Sequence, residues 1–140
     1  MTVVLDTNVV LQARAPGHES HCILQGLLAG RFILAVSTAI FLEYEEIMTA
    51  RVGAARWRQF AAVLDAIGAS PGNVRQVEPS FRWRLIPADP DDDKFADCAI
   101  AAEAEWIVTQ DGHFKTLRNS GHKPQPITPG EFIARVLTAV

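Results

Sequence analysis

Acidic residues recur in this chain where an apolar run gives way to a turn or where a helix should be buried. They are Asp6 in VVLDTN, Glu43 in FLEYEE, Asp93 and Asp97 in DDDKFADCAIAA, and Asp111 in WIVTQDGHF. Carboxylates held together at neutral pH repel one another, so a fold that gathers them must supply protons or a hard divalent cation. With a cation, such a cluster is equipped for hydrolysis at phosphorus. Other chemistry finds little support: the chain has no GxSxG, P-loop or GxGxxG segment. His18, His21, His113 and His122 show no ligand spacing beyond the i, i+3 relation of the first two, and read as lone surface residues. Cys22 and Cys98 form no CxxC pair and read as buried free thiols of a reducing compartment.

Each carboxylate also has an ordinary explanation. Asp6 after an apolar run can be a turn residue or helix cap, although Asp6-Thr7-Asn8 offers a carboxylate, a hydroxyl and an amide together. Glu43 flanks a helical stripe, where a solvated Glu is normal; Glu45 flanks its other side and Glu46 falls on the far face. Asp97 is the most telling, because Phe95, Ala96, Cys98, Ala99 and Ile100 make its helix apolar nearly all round. An ionised Asp buried there costs several kcal/mol unless it is paired or bound to metal. Asp93 lies one turn earlier on the same face, a like-charge spacing that disfavours the helix, and can equally serve as its cap. Asp111 precedes Gly112, as a turn residue would. Asp89, Asp91 and Asp92 read as loop charges.

The positioning elements follow from periodicity. Thr2 to Leu5 is a short strand buried on both faces, with Thr7 and Asn8 as candidate caps of a helix starting at Val9. A helix over residues 18–29 and a strand over residues 32–36 come next. Ser37 or Thr38 caps a helix to about Arg51 with the stripe Ile40, Phe41, Tyr44, Ile47 and Met48, which leaves Leu42 facing solvent. Trp57, Phe60, Ala61, Leu64 and Ile67 mark an amphipathic helix ending at Gly68. Residues 70–90 are irregular apart from a strand near residues 74–77. A helix to about residue 104 capped by Asp92 or Asp93, a strand over 106–109, a helical turn over 111–117, a strand at Ile127 and a helix over 131–137 complete the pattern. Alternation of strand and helix implies one α/β domain over residues 1–140, with a mainly parallel sheet and ligands beyond the carboxyl ends of its strands.

Net charge is −3, against the basic excess usual in general nucleic-acid binders, but two bound divalent ions would bring the sum to +1. The start MTVVLDTN has neither a basic leader nor an apolar span, which reads as a cytoplasmic protein outside the membrane.

Taken together, LDTN, Glu43-Tyr44 after a strand, DDDKFADCAIAAEA and WIVTQD resemble the PIN-domain ribonucleases, in particular the small VapC-like toxins, in order and spacing from residue 1 to about 117. The resemblance implies a three-layer fold with about five strands and an acidic pocket that takes one or two Mg²⁺ or Mn²⁺ ions. It assigns that pocket to Asp6, Glu43, Asp97 and Asp111, with Asp93 as an additional acid and Thr109 and Asn8 in support. It further implies cleavage of RNA, a cognate antitoxin and a homodimer. Candidate phosphate contacts are Arg14, Arg82, Arg84, Lys94, Lys115 and Arg118, and Trp83 is a candidate stacking surface. Two rivals stand beside this reading. A haloacid-dehalogenase-type phosphatase would need Asp-x-Asp where this chain has Asp6-Thr7-Asn8, and a non-catalytic RNA- or partner-binding module would use the same fold without its acids.

Overall fold

The computed structural model describes residues 1–118 and 120–138. Five parallel strands, β1 (Thr2–Leu5), β2 (Ile33–Val36), β3 (Val74–Gln76), β4 (Trp106–Val108) and β5 (Gln125–Ile127), form one sheet in the order β3-β2-β1-β4-β5. The chain builds outward from β1 through β2 to β3, then returns to lay β4 on the other side of β1. Right-handed crossovers in opposite directions therefore put helices on both faces, the three-layer α/β arrangement expected. The reversal also makes the carboxyl ends of β1 and β4 the switch point, where open parallel sheets form a crevice. Val3, Val4, Leu34, Ala35, Ile107 and Val108 are all buried, which is why these strands read as unbroken apolar runs.

The helices follow their sequence signals with shifts that have local causes. Helix α1 (Thr7–Ala13) starts two residues before the expected Val9, because Asp6 is its N-cap and accepts from the Thr7 N–H. Helix α2 (His21–Leu28) is shorter than expected at its start, where the Ser20 N–H is taken by His18 Nδ1. Helix α3 (Thr38–Val52) is capped by Ser37 and turns Ile40, Tyr44 and Met48 inward, whereas Phe41 sits at the edge against Trp57 and Leu42 faces solvent. Helix α4 (Ala54–Ala69) continues through Gly68, one residue past the expected stop. Helix α5 (Asp93–Ala101) ends three residues early, since Glu103 takes a left-handed φ of 53° and turns the chain toward β4. At the C-terminal end, Pro129 at the first helical position starts α6 (Pro129–Phe132) before the expected Glu131, and a π-helical turn follows over Ile133–Leu137. Cys98 is buried as expected, but Cys22 is only half-buried. No described helix is long and apolar enough to cross a membrane.

One side chain sets the position of α3 against β1. Tyr44 is fully buried, and its hydroxyl donates to the Leu5 carbonyl at 2.5 Å, on the residue immediately before Asp6. Burial holds its phenol well above the ordinary tyrosine range, so it acts as a neutral donor. Removing it leaves the Leu5 carbonyl without that partner. Tyr44→Phe should therefore lower stability by about 1–2 kcal/mol in urea unfolding; an unchanged midpoint would show that this bond contributes nothing.

Candidate active site

The centre of the site is a pair of strand ends joined by one hydroxyl. Asp6 follows β1 and Thr109 follows β4, its neighbour in the sheet. The Asp6 Oδ1 accepts from the Thr7 N–H at 2.8 Å, and its Oδ2 accepts from Thr109 Oγ1 at 2.7 Å. The same Thr109 oxygen accepts from the Asp111 N–H at 2.9 Å, so a single residue holds the Asp6 carboxylate and the backbone that carries Asp111. Burial raises the Asp6 pKa, the Thr109 and Thr7 hydrogen bonds work the other way, and the negative charges of Glu43 and Asp111 add to the rise.

Glu43 reaches this centre from α3, one residue from the Tyr44 anchor. Its Oε2 takes a short hydrogen bond from Thr7 Oγ1, and its Oε1 pairs with Lys94 Nζ at 2.8 Å. Thr7 thus touches both acids, its amide on Asp6 and its hydroxyl on Glu43. Glu45, the other flanking acid of α3, accepts from Trp57 Nε1 at 3.0 Å instead.

The fourth acid is one that periodicity assigns to a loop. Asp92 is 9% exposed, at the end of a 3-10 turn over Pro90–Asp92 that leads directly into α5. Its pKa is raised to about 7 by burial, by a hydrogen bond to Asp111, and by the charges of Asp111, Asp6 and Asp89. The loop reading fails because Asp89 caps this turn and Pro90 occupies its first position, so the helical segment begins before Asp93. Asp-Pro at that place is the start signal that would have brought Asp92 inward. His113 is likewise not a lone surface residue: its Nδ1 lies 3.2 Å from Asp111 Oδ1, 3.4 Å from Asp92 Oδ2 and 3.9 Å from Asp89 Oδ2. His18 and His21 bond locally, His21 through Nδ1 to the Ala13 carbonyl.

Asp93 and Asp97 turn elsewhere. Asp93 Oδ1 accepts from the Ile86 N–H and Asp97 Oδ1 from the Trp83 N–H, each at 3.0 Å. Both line a cleft of about 870 Å³ beside the cluster, and the charges acting on Asp97 are those of Asp93 and Arg82. The burial of Asp97 raises its pKa, and the Trp83 bond offsets part of that rise. Lys94 also lines the cleft and spans the boundary through its pair with Glu43. Arg82 and Arg84 are exposed on the cleft rim, Lys115 and Arg118 are exposed on and just after a 3-10 turn over Gly112–Leu117, and Arg14 is half-buried at the end of α1. Asn8 is exposed in the first turn of α1.

The donor set fits a hard divalent cation. Asp92 Oδ2 is buried and has no hydrogen-bond partner of good geometry among the described residues. An orphaned carboxylate oxygen among other carboxylates is what a cation would satisfy. Asp89, Asp92 and His113 each bring one ligand atom within 4.8 Å of the others. The oxygen-rich surroundings favour Mg²⁺, Ca²⁺ or Mn²⁺ over softer metals.

Comparison with known proteins bears on the same strand ends. The family model described as PIN domain matches residues 2–113, most of the chain and all four acids of the cluster. The chain belongs to the PIN-domain family. No curated protein matches it. Among solved structures, VapBC2 from Rickettsia felis, bound to a DNA fragment from its promoter, shares the fold with a TM-score of 0.59 at 20% identity, covering 91% of this chain and 98% of that one. VapC20 of Mycobacterium tuberculosis, described as a sarcin-ricin loop cleaving toxin, gives a TM-score of 0.52 at 16% identity, covering 79% of this chain and 90% of that one.

Protonation of the metal-free PIN site has a definite sign. Asp6, Asp92 and Asp97 all have pKa values raised on folding from 3.8, Asp92 to about 7. The native state therefore holds protons that the unfolded chain has released, and stability is lost as pH rises through this window. In EDTA the melting temperature should fall between about pH 5 and about pH 8, and Asp92→Asn should flatten the fall. A wild-type curve that is level or rising over that range would contradict the assignment.

Proposed function

We propose that the chain is a metal-dependent endoribonuclease that hydrolyses RNA phosphodiesters and serves as the toxin of a toxin–antitoxin pair in the cytoplasm. The observation that carries the reading is the gathering of Asp6, Glu43, Asp92 and Asp111 at the switch point, with Asp92 Oδ2 buried and, among the described residues, without a hydrogen bond of good geometry. Membership of the PIN family supports nuclease chemistry, and the fold shared with the sarcin-ricin loop cleaving toxin VapC20 and with VapBC2 supports the biological role. A homodimer and a cognate antitoxin are part of the same reading.

In this reading Asp6, Asp92 and Asp111 hold one or two Mg²⁺ or Mn²⁺ ions, and Glu43 completes the set. A cation held by these residues would supply a water of lowered pKa and charge to offset that of the scissile phosphate. The rest is done by the chain. Thr109 and the Thr7 amide fix the Asp6 carboxylate, Thr109 also fixes the Asp111 backbone, and Lys94 holds Glu43 against its acidic neighbours. His113 stands at hydrogen-bond distance from Asp111 at the exposed mouth of the site, where it orients that carboxylate. Asp93 and Asp97, which the sequence grouped with the catalytic acids, serve instead to hold the segment carrying Trp83 and Ile86.

The test is cleavage of a labelled RNA pool by purified protein in Mn²⁺, Mg²⁺ or EDTA. Cutting should require the cation, fall by at least about 100-fold in Asp6→Asn and in Asp92→Asn, and fall far less in Asp97→Asn, which keeps an acceptor for the Trp83 amide. RNA binding without cutting under any metal, unchanged by these substitutions, would replace the nuclease with a non-catalytic binding module.

A further inference from the structure

The segment between β3 and the 3-10 turn at Pro90 contains no regular structure, yet its residues 83–86 are stitched to the protein at three points. The Trp83 and Ile86 amides donate to Asp97 and Asp93, and the Leu85 carbonyl accepts from Thr116 Oγ1 at 3.1 Å. Ile86 is buried and anchors the segment from beneath. Two of the fastenings come from α5 and the third from the turn that carries His113, so this strap is tied to both flanks of the acidic site.

What the strap displays is unusual for an unpartnered surface. Phe81 is 60% and Trp83 47% exposed, and the two rings pack against each other with centroids 4.6 Å apart. Arg82 lies between them in sequence and Arg84 follows, both exposed, and neither forms an ion pair among the described residues. Alternating aromatic faces and exposed guanidinium groups match the alternation of base and phosphate along a nucleic-acid strand. In a duplex those base faces are already stacked, so an aromatic platform selects unpaired nucleotides. The carboxylates of the cleft behind it are engaged by backbone amides, which leaves the strap's exposed side to cations and rings.

We propose that Phe81 and Trp83, flanked by Arg82 and Arg84, form a platform for unpaired nucleobases that sets the single-strand preference of the site, and that Asp97 and Asp93 are positioning residues which hold it there. The proposal rests on the nuclease reading for its biological sense, but its binding test does not depend on cleavage.

The experiment uses the full chain carrying Asp6→Asn, in Mg²⁺, titrated with a short single-stranded oligoribonucleotide and with the duplex of the same sequence. Trp83 is the most exposed of the three tryptophans, since Trp57 is buried and Trp106 half-buried, so its fluorescence reports stacking. Single-stranded RNA should quench it and bind more tightly than duplex. Trp83→Ala should weaken binding by at least about 5-fold, Phe81→Ala should act in the same direction, and Trp83→Phe should restore affinity. Asp97→Ala should weaken binding while Asp97→Asn, which can still accept from the Trp83 amide, should not; melting curves of each variant confirm folding. Equal affinity for duplex, or oligonucleotide binding untouched by loss of both rings, would overturn the platform and leave the face to a protein partner. In the otherwise wild-type protein, Trp83→Ala should raise KM for single-stranded substrate and leave kcat nearly unchanged. Cleavage with an unaltered KM would refute the platform with the nuclease reading intact, whereas absence of cleavage in the wild type would refute the nuclease reading and leave the binding assay to decide the platform.

Discussion

Repulsion among carboxylates at the end of two adjacent strands is the constraint around which this PIN domain is built. Asp6 and Asp111 come together because β1 and β4 are neighbours, and the strand order makes them neighbours only by reversing direction at β1. Glu43 and Asp92 are then brought in from helical segments on either side. Four negative charges in a partly dry crevice are unfavourable for folding, and the raised pKa values of Asp6 and Asp92 express that cost. The neighbouring groups reduce it with neutral donors and one cation: the Thr7 amide and hydroxyl, the Thr109 hydroxyl and the Lys94 ammonium. Asp92 is the member left least satisfied, and a divalent ion is the completion that the proposed function assigns to the cluster.

Lys94 illustrates how closely the two halves of the surface are joined. It leaves α5 from the residue between Asp93 and Phe95, within the cleft rim, yet its ammonium reaches Glu43 in α3. Along the first turn of α5, successive side chains therefore divide their duties: Asp92 faces the acidic site, Asp93 holds Ile86, and Lys94 offsets Glu43. One turn later Asp97 repeats the role of Asp93 on the Trp83 amide. A short helix thus links the proposed chemistry to the strap that borders it.

Much of this was legible because burial leaves strong marks in a sequence. The apolar runs ending at Asp6 and Thr109 gave both strand ends of the site, and the α3 stripe placed Glu43 on a flank with Tyr44 inward. The all-round apolar character of α5 correctly signalled that Asp97 is buried, but burial does not say what satisfies the charge. Here a backbone amide from an irregular segment does so, and an irregular segment has no period from which to foresee its path. Asp92 reads from sequence as a helix cap or loop charge rather than a site acid for a related reason. A 3-10 turn before α5 changes the angular step between residues, so a helical wheel started at Asp93 assigns Asp92 no face. The contacts of His113 depend on the fold of a turn rather than on spacing, and left no mark in the sequence.

The central claim is that the cation site belongs to Asp92 and its partners rather than to Asp97. Mn²⁺ binding at neutral pH, followed by electron paramagnetic resonance of the free ion, tests it without any substrate. Wild-type protein should bind, Asp92→Asn should bind at least about 10-fold more weakly, and Asp97→Asn should retain wild-type affinity. Loss of binding in Asp97→Asn with none in Asp92→Asn would contradict the account and return Asp97 to the metal.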